Sequence, residues 1–246
     1  MPYYWQILLI ARVTIDTLKE IGITHCCFIG GMACKLYTNG KGRQPKVSHC
    51  RETRMHPILT LRSHQDLDIL CLTPYPGGAE AIKSRLCQED DRFYTVPARN
   101  PRDRWRVLYW RTGSNEPGFK RFKVDILVPG VMDLPAIHPN YIIKINKYPC
   151  APLVLLLLHK LKGWDDRRDS RRQYQLDKIP GDVRDIKNLL RIANQRGLRI
   201  TKPRGYISRA FRADSKRRVI EFSEEHPQYI RLWTGLGLPD HLFDEL

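Results

Sequence analysis

Asp66 and Asp68 lie two residues apart in Gln65–Leu72, QDLDILCL. Read as a strand, this stretch puts both carboxylates on one face and Leu67 and Ile69 on the other, because successive side chains alternate. One face can react while the other packs. Two anions held side by side raise each other's pKa unless a cation lies between them, so the pair suits a divalent metal. A third carboxylate, Asp125 in FKVDILVPG, is flanked by Val124 and Ile126 and points away from the face those two define. Upstream, Gly30-Gly31 ends an apolar run and precedes MACKLY, a short predicted helix. Strand, paired glycines and helix start leave backbone N–H groups and the positive end of a helix dipole free to face a phosphate. No Walker pattern or dinucleotide fingerprint accompanies them. Lys160, after a run of leucines, adds a cation.

The elements that must position these groups are legible in the hydrophobic pattern. Ile7, Ile10, Ala11, Leu18 and Ile21 recur at helical spacing over Trp5–Ile21, and Gly22 is a candidate C-terminal cap. Ile23–Ile29 reads as a buried strand. Ala79–Gln88 reads as a short helix, and Arg92–Pro97, Trp105–Trp110 and Phe119–Val128 as strands, the last two an antiparallel pair across the turn TGSNEPG. Between the glycines and the Asp pair, residues 39–63 are polar, basic and aperiodic, and are read as an inserted loop. Its His49, Cys50 and His56, with His64, match no zinc spacing. The Pro149-rich junction opens an apolar helix expected to end near Gly163. A charged connection follows over Trp164–Lys178, then an amphipathic helix over Asp182–Arg196. From Leu198 short helices with many arginines are expected. Tyr206, Phe211 and Trp233 lie among these, where aromatic and basic residues together could dock RNA, and the tail from His226 is expected to pack on the surface or fray. The expected organisation is an α/β core over 1–148 and a helical region over 149–246.

Lys plus Arg number 42 against 26 Asp plus Glu, a formal charge of +16, which favours polyanionic partners. Seven cysteines without a CxxC pair read as reduced, packed thiols in an intracellular compartment, cytoplasmic or nuclear. No secretory leader is recognisable, and the longest apolar run, Leu153–Leu158, falls far short of the roughly 20 residues that span a bilayer, so no membrane partner is expected.

Taken together, FIGGMACKLY, QDLDIL and KVDIL resemble the nucleotidyltransferase superfamily that includes DNA polymerase beta, with its Gly-Gly or Gly-Ser, Asp-x-Asp and later lone Asp. HKLKGW and DVRDIKNLL are similar to segments of the small toxin-type and antibiotic-modifying members. The resemblance implies a mixed sheet flanked by helices, two Mg2+ ions, and transfer of a nucleoside monophosphate from an NTP such as ATP to an acceptor hydroxyl on RNA, protein or a small molecule. It implies that Gly30 and Gly31 contact the triphosphate and that Asp66 and Asp68 hold the metals. Asp125 would complete the metal site and assist deprotonation of the acceptor, and Lys160 would steady the phosphates. Asp185 would orient helices. The charge tilts the acceptor toward RNA, such as a tRNA end. The alternative is a catalytically inactive nucleotide- or RNA-binding module of the same fold.

Overall fold

A computed structural model of the chain describes residues 2–39, 66–112, 121–200, 205–239 and 241. Its described strands are β1 (Cys26–Ile29), β2 (Asp66–Cys71), β3 (Phe93–Pro97), β4 (Arg106–Arg111), β5 (Arg121–Leu127), β6 (Ile143–Ile145) and β7 (Tyr148–Cys150). They form one seven-stranded sheet in the order β3-β4-β5-β2-β1-β7-β6. The sheet is mixed: β2–β5 and β1–β7 are parallel, and the other neighbours are antiparallel. The described residues divide into two compact units, one drawn from 1–32 and 64–151, the other from 33–63 and 152–246.

In the first unit the strands follow the expected alternation. Leu67, Ile69 and Cys71 on β2, Leu108 and Trp110 on β4, and Phe122, Val124 and Ile126 on β5 are buried on a shared face. Helices α1 (Pro2–Glu20) and α3 (Gly78–Glu89) bury Ile10, Ala11 and Leu18, and Ile82 and Leu86, respectively. α1 stops at Gly22, whose φ of +90° suits glycine and whose N–H donates to the Lys19 carbonyl. β1, CCFI, is buried along its whole length, as a continuous apolar run in mid-sheet should be. Burial pushes the Cys26 thiol up to about 11 and that of Cys150 to about 12, so both remain protonated at neutral pH. The described cysteines are all free.

Two features depart from the expectation. The junction before the leucine helix contains a β-hairpin, β6–β7, turning through Asn146 and Lys147 at φ of +49° and +72°. Positive φ at both central residues is the type I′ pattern, and with lysine in place of the usual glycine the sequence signal is weak. The leucine helix, α4 (Leu153–Arg168), also passes through Gly163 instead of ending there. The extra turn buries Trp164 completely, which offsets the helix cost of one glycine of about 1 kcal/mol.

The second unit packs α4 with α6 (Ile179–Gln195) and α7 (Arg209–Glu225), and α8 (Ile230–Thr234) packs with α6; α5 (Gln173–Leu176) is a single turn. Trp164, Phe222 and Trp233 form its aromatic core, with Trp164 edge-on to Phe222 at 5.0 Å between ring centroids. This corrects two expectations. Over its described residues the tail from His226 is not confined to the surface, since Trp233, Leu236 and Leu238 are buried. Tyr206, Phe211 and Trp233 cannot dock RNA, because all three rings are inside. Among the nearby arginines, Arg217 and Arg218 are committed to Asp165 on α4.

Helix α2 (Gly30–Asn39) starts directly after β1. Beyond Asn39, the inserted loop expected over 39–63, with its His49, Cys50 and His56, lies outside the described residues, as do His64, most of the TGSNEPG turn and Arg204. Among the described residues no helix is long and apolar enough to cross a membrane.

Candidate active site

Parallel pairing of β2 with β5 sets Asp68 directly opposite Asp125 and Asp66 opposite Lys123. Paired residues point to the same side, so all four side chains share one face of the sheet, opposite the face that Leu67, Val124 and their neighbours bury. Asp66 is exposed, and Asp68, Lys123 and Asp125 are half-buried. The three carboxylates singled out from sequence therefore converge from two strands that are distant in the chain.

The fourth member was missed, though alternation alone could have found it: Lys123 precedes Asp125 by two residues. Its Nζ donates to Asp125 Oδ2 at 2.5 Å. Partial burial alone would lower the Lys123 pKa, but Asp125, and then Asp66 and Asp68, raise it by more, so the ammonium stays charged. Lys123 thus balances part of the negative charge of this face.

Antiparallel pairing of β1 with β2 brings Ile29 opposite Asp68, so the chain turns into α2 at Gly30, against the Asp68 carboxylate. Gly30 has φ +64°, and a Cβ there would overlap that carboxylate, 2.9 Å from its Cγ. Only glycine meets both conditions. Gly31 follows in the first turn of α2, where backbone N–H groups lack intrahelical acceptors. Gly30→Ala is expected to cost about 1–2 kcal/mol of stability from its left-handed backbone. Displacement of Asp68 should also cost up to about 100-fold in any activity that depends on its position. Urea unfolding and turnover of the same variant measure the two effects separately.

Lys160 is in the second unit. Its Nζ lies 2.8 Å from Asp185 and 3.5 Å from Asp182 on α6. Burial acts to lower its pKa, but Cys34 and then the two carboxylates raise it, for a net upward shift. Arg167 pairs with Asp182 as well. These contacts tie α4 to α6, and Asp185 takes part in them as an orienting residue.

The donors on the β2–β5 face are all carboxylate oxygens, the ligand type Mg2+ takes, and the set fits that ion chemically. Among the described residues no group of three or more His, Cys, Asp or Glu side chains has closed into metal-binding geometry; Lys123 instead holds Asp125. If lysine and metal compete for the same carboxylate, Lys123→Met should tighten Mn2+ or Mg2+ binding about fivefold, the equivalent of a half-exposed ion pair of about 1 kcal/mol. A metal titration of wild type and variant without nucleotide measures this. Unchanged affinity would mean that the ammonium does not compete.

The mixed seven-stranded sheet with its helices and helical C-terminal region is a nucleotidyltransferase-like fold. A solved structure supports this across the chain: an antigenic nucleotidyltransferase-like protein from Paracoccidioides brasiliensis superposes with a TM-score of 0.58 over 97% of this chain and 96% of that one, at 12% sequence identity. No family model matches the sequence. No curated protein matches it either.

Proposed function

We propose that the open face of β2 and β5 is a nucleotidyl-transfer site, moving a nucleoside monophosphate from an NTP to an acceptor hydroxyl with release of pyrophosphate. The observation that carries this reading is the register placing Asp68 opposite Asp125, with Asp66 beside them and the Gly30 turn against Asp68. Asp66, Asp68 and Asp125 would hold two Mg2+ ions, which when bound neutralise charge on the triphosphate. Backbone N–H groups of Gly30 and Gly31 donate to phosphate oxygens at the start of α2. Asp125 takes the proton of the acceptor hydroxyl as its oxygen bonds to the α-phosphorus and the α–β bridge breaks, the electron pair leaving with pyrophosphate.

One observation favours a second reading. The contact of Lys123 with Asp125 suits a face that binds nucleotide or RNA without turnover, its charge already partly balanced. Incubation with α- and γ-labelled NTPs, Mg2+ and pools of RNA, protein and small alcohols distinguishes the two. Transfer predicts α-label on one acceptor pool and γ-label only in pyrophosphate. Retention of all label in intact NTP by a protein that still binds it would establish the binding module, and γ-label on an acceptor would indicate phosphoryl transfer instead.

A further inference from the structure

The carboxylate face continues across the sheet as a row of different chemistry. Tyr94 on β3 pairs with Tyr109 on β4, Tyr109 with Lys123 on β5, and Lys123 with Asp66 on β2, so the four side chains stand on one face in a line. The two tyrosines are stacked, with ring centroids 5.8 Å apart and planes 26° from parallel. One pleat along, Arg111 and Arg121 pair with each other. The Arg111 guanidinium lies 4.8 Å from the Tyr94 ring centroid, and that of Arg121 lies 4.5 Å from Tyr109. Both arginines are exposed and both tyrosines half-buried. Hydrophobic packing explains none of this: Leu108, Trp110 and Phe122 fill the opposite face.

We infer that this ledge binds single-stranded RNA and leads it to the neighbouring carboxylates, which makes RNA the acceptor; the word acceptor rests on the function proposed above. Stacked tyrosine rings and guanidinium planes offer surfaces on which unpaired bases stack, and Arg111, Arg121 and Lys123 supply charge for the backbone. Duplex nucleic acid buries its base faces and cannot use such a ledge. At about 4.8 Å per strand, Tyr109 stands about 10 Å and Tyr94 about 14 Å from Asp66, the length of about three or four stacked nucleotides. A strand lying along the row therefore ends at the carboxylates.

The test is fluorescence anisotropy of a labelled 12-nucleotide RNA, its duplex and a heparin competitor, without NTP or metal, so that binding is read independently of transfer. The expected result is binding of the single strand well above the duplex. Tyr94→Ala and Tyr109→Ala should each weaken it about 5- to 100-fold. Because the rings are half-buried, the exposed pair decides the matter: Arg111→Glu with Arg121→Glu, confirmed folded by thermal melting, should weaken binding at least tenfold and flatten its salt dependence. Absent RNA binding, equal affinity for strand and duplex, full displacement by heparin at matched charge, or an arginine double variant that binds like wild type would each overturn the inference. If the strand binds through the ledge but α-label goes to a different acceptor, the binding surface stands and the acceptor role is refuted.

Discussion

Asp68→Asn should lower nucleotidyl transfer by about 10²–10⁴-fold, the range lost when a charge-stabilising or proton-handling group is removed from a reacting centre. The amide keeps the shape that fits against Gly30, so the backbone turn into α2 has no cause to move. Stability should change by no more than about 1 kcal/mol, because relief of the repulsion between Asp68 and Asp125 across the strand pair is offset by lost attraction to the half-buried Lys123. That combination separates a functional carboxylate from a structural one. Loss of activity with equal loss of stability would mark Asp68 as part of the fold. Turnover and urea unfolding of the purified variant, measured together, decide it.

The largest stability effect is expected in the second unit. Asp165 on α4 is 8% exposed and accepts from Arg217 Nη2 at 2.8 Å and Arg218 Nε at 3.0 Å, with Arg168 Nε at 3.3 Å. Arg218 is itself only 6% exposed. Asp165→Asn leaves a buried guanidinium without its counter-charge, a change that typically costs 3–5 kcal/mol. Arg168 and Arg217 retain Glu221, so a loss of about 2–4 kcal/mol is expected. Burial raises the Asp165 pKa, but donation from Arg217 and Arg218 lowers it by more, leaving it below the ordinary 3.8. A carboxyl with a depressed folded pKa stabilises fully above its unfolded value and loses that contribution as pH falls through the folded one. The gap between wild type and variant should therefore be complete at pH 7 and shrink below pH 3.8. Urea unfolding at neutral and acid pH measures it; an equal gap at both would assign the loss to packing.

Strand faces were the most legible part of this sequence, because alternation is local: Leu67 with Ile69, and Val124 with Ile126, give the orientation of Asp66, Asp68 and Asp125 without any knowledge of their neighbours. The register that sets Asp68 opposite Asp125 was not legible. It is fixed by packing between strands that are distant in the chain. The β6–β7 hairpin was hidden because Lys147 stands where a type I′ turn ordinarily shows glycine, and Pro149 argues against a strand. Trp233 reads as a tail residue until Phe222 on α7 is seen to meet it edge-on. Lys123 was readable from KVD by alternation, but its partnership with the carboxylates shows only once pairing sets it opposite Asp66 on β2.

The most direct test of the central claim, that the β2–β5 face is a metal-dependent triphosphate site, is calorimetric titration of a non-hydrolysable NTP into wild type and Asp68→Asn, each with and without Mg2+. Binding by wild type that requires Mg2+, and its loss in the variant, is the expected result. Binding that ignores Mg2+, or that survives Asp68→Asn unchanged, would place the nucleotide elsewhere and contradict the account.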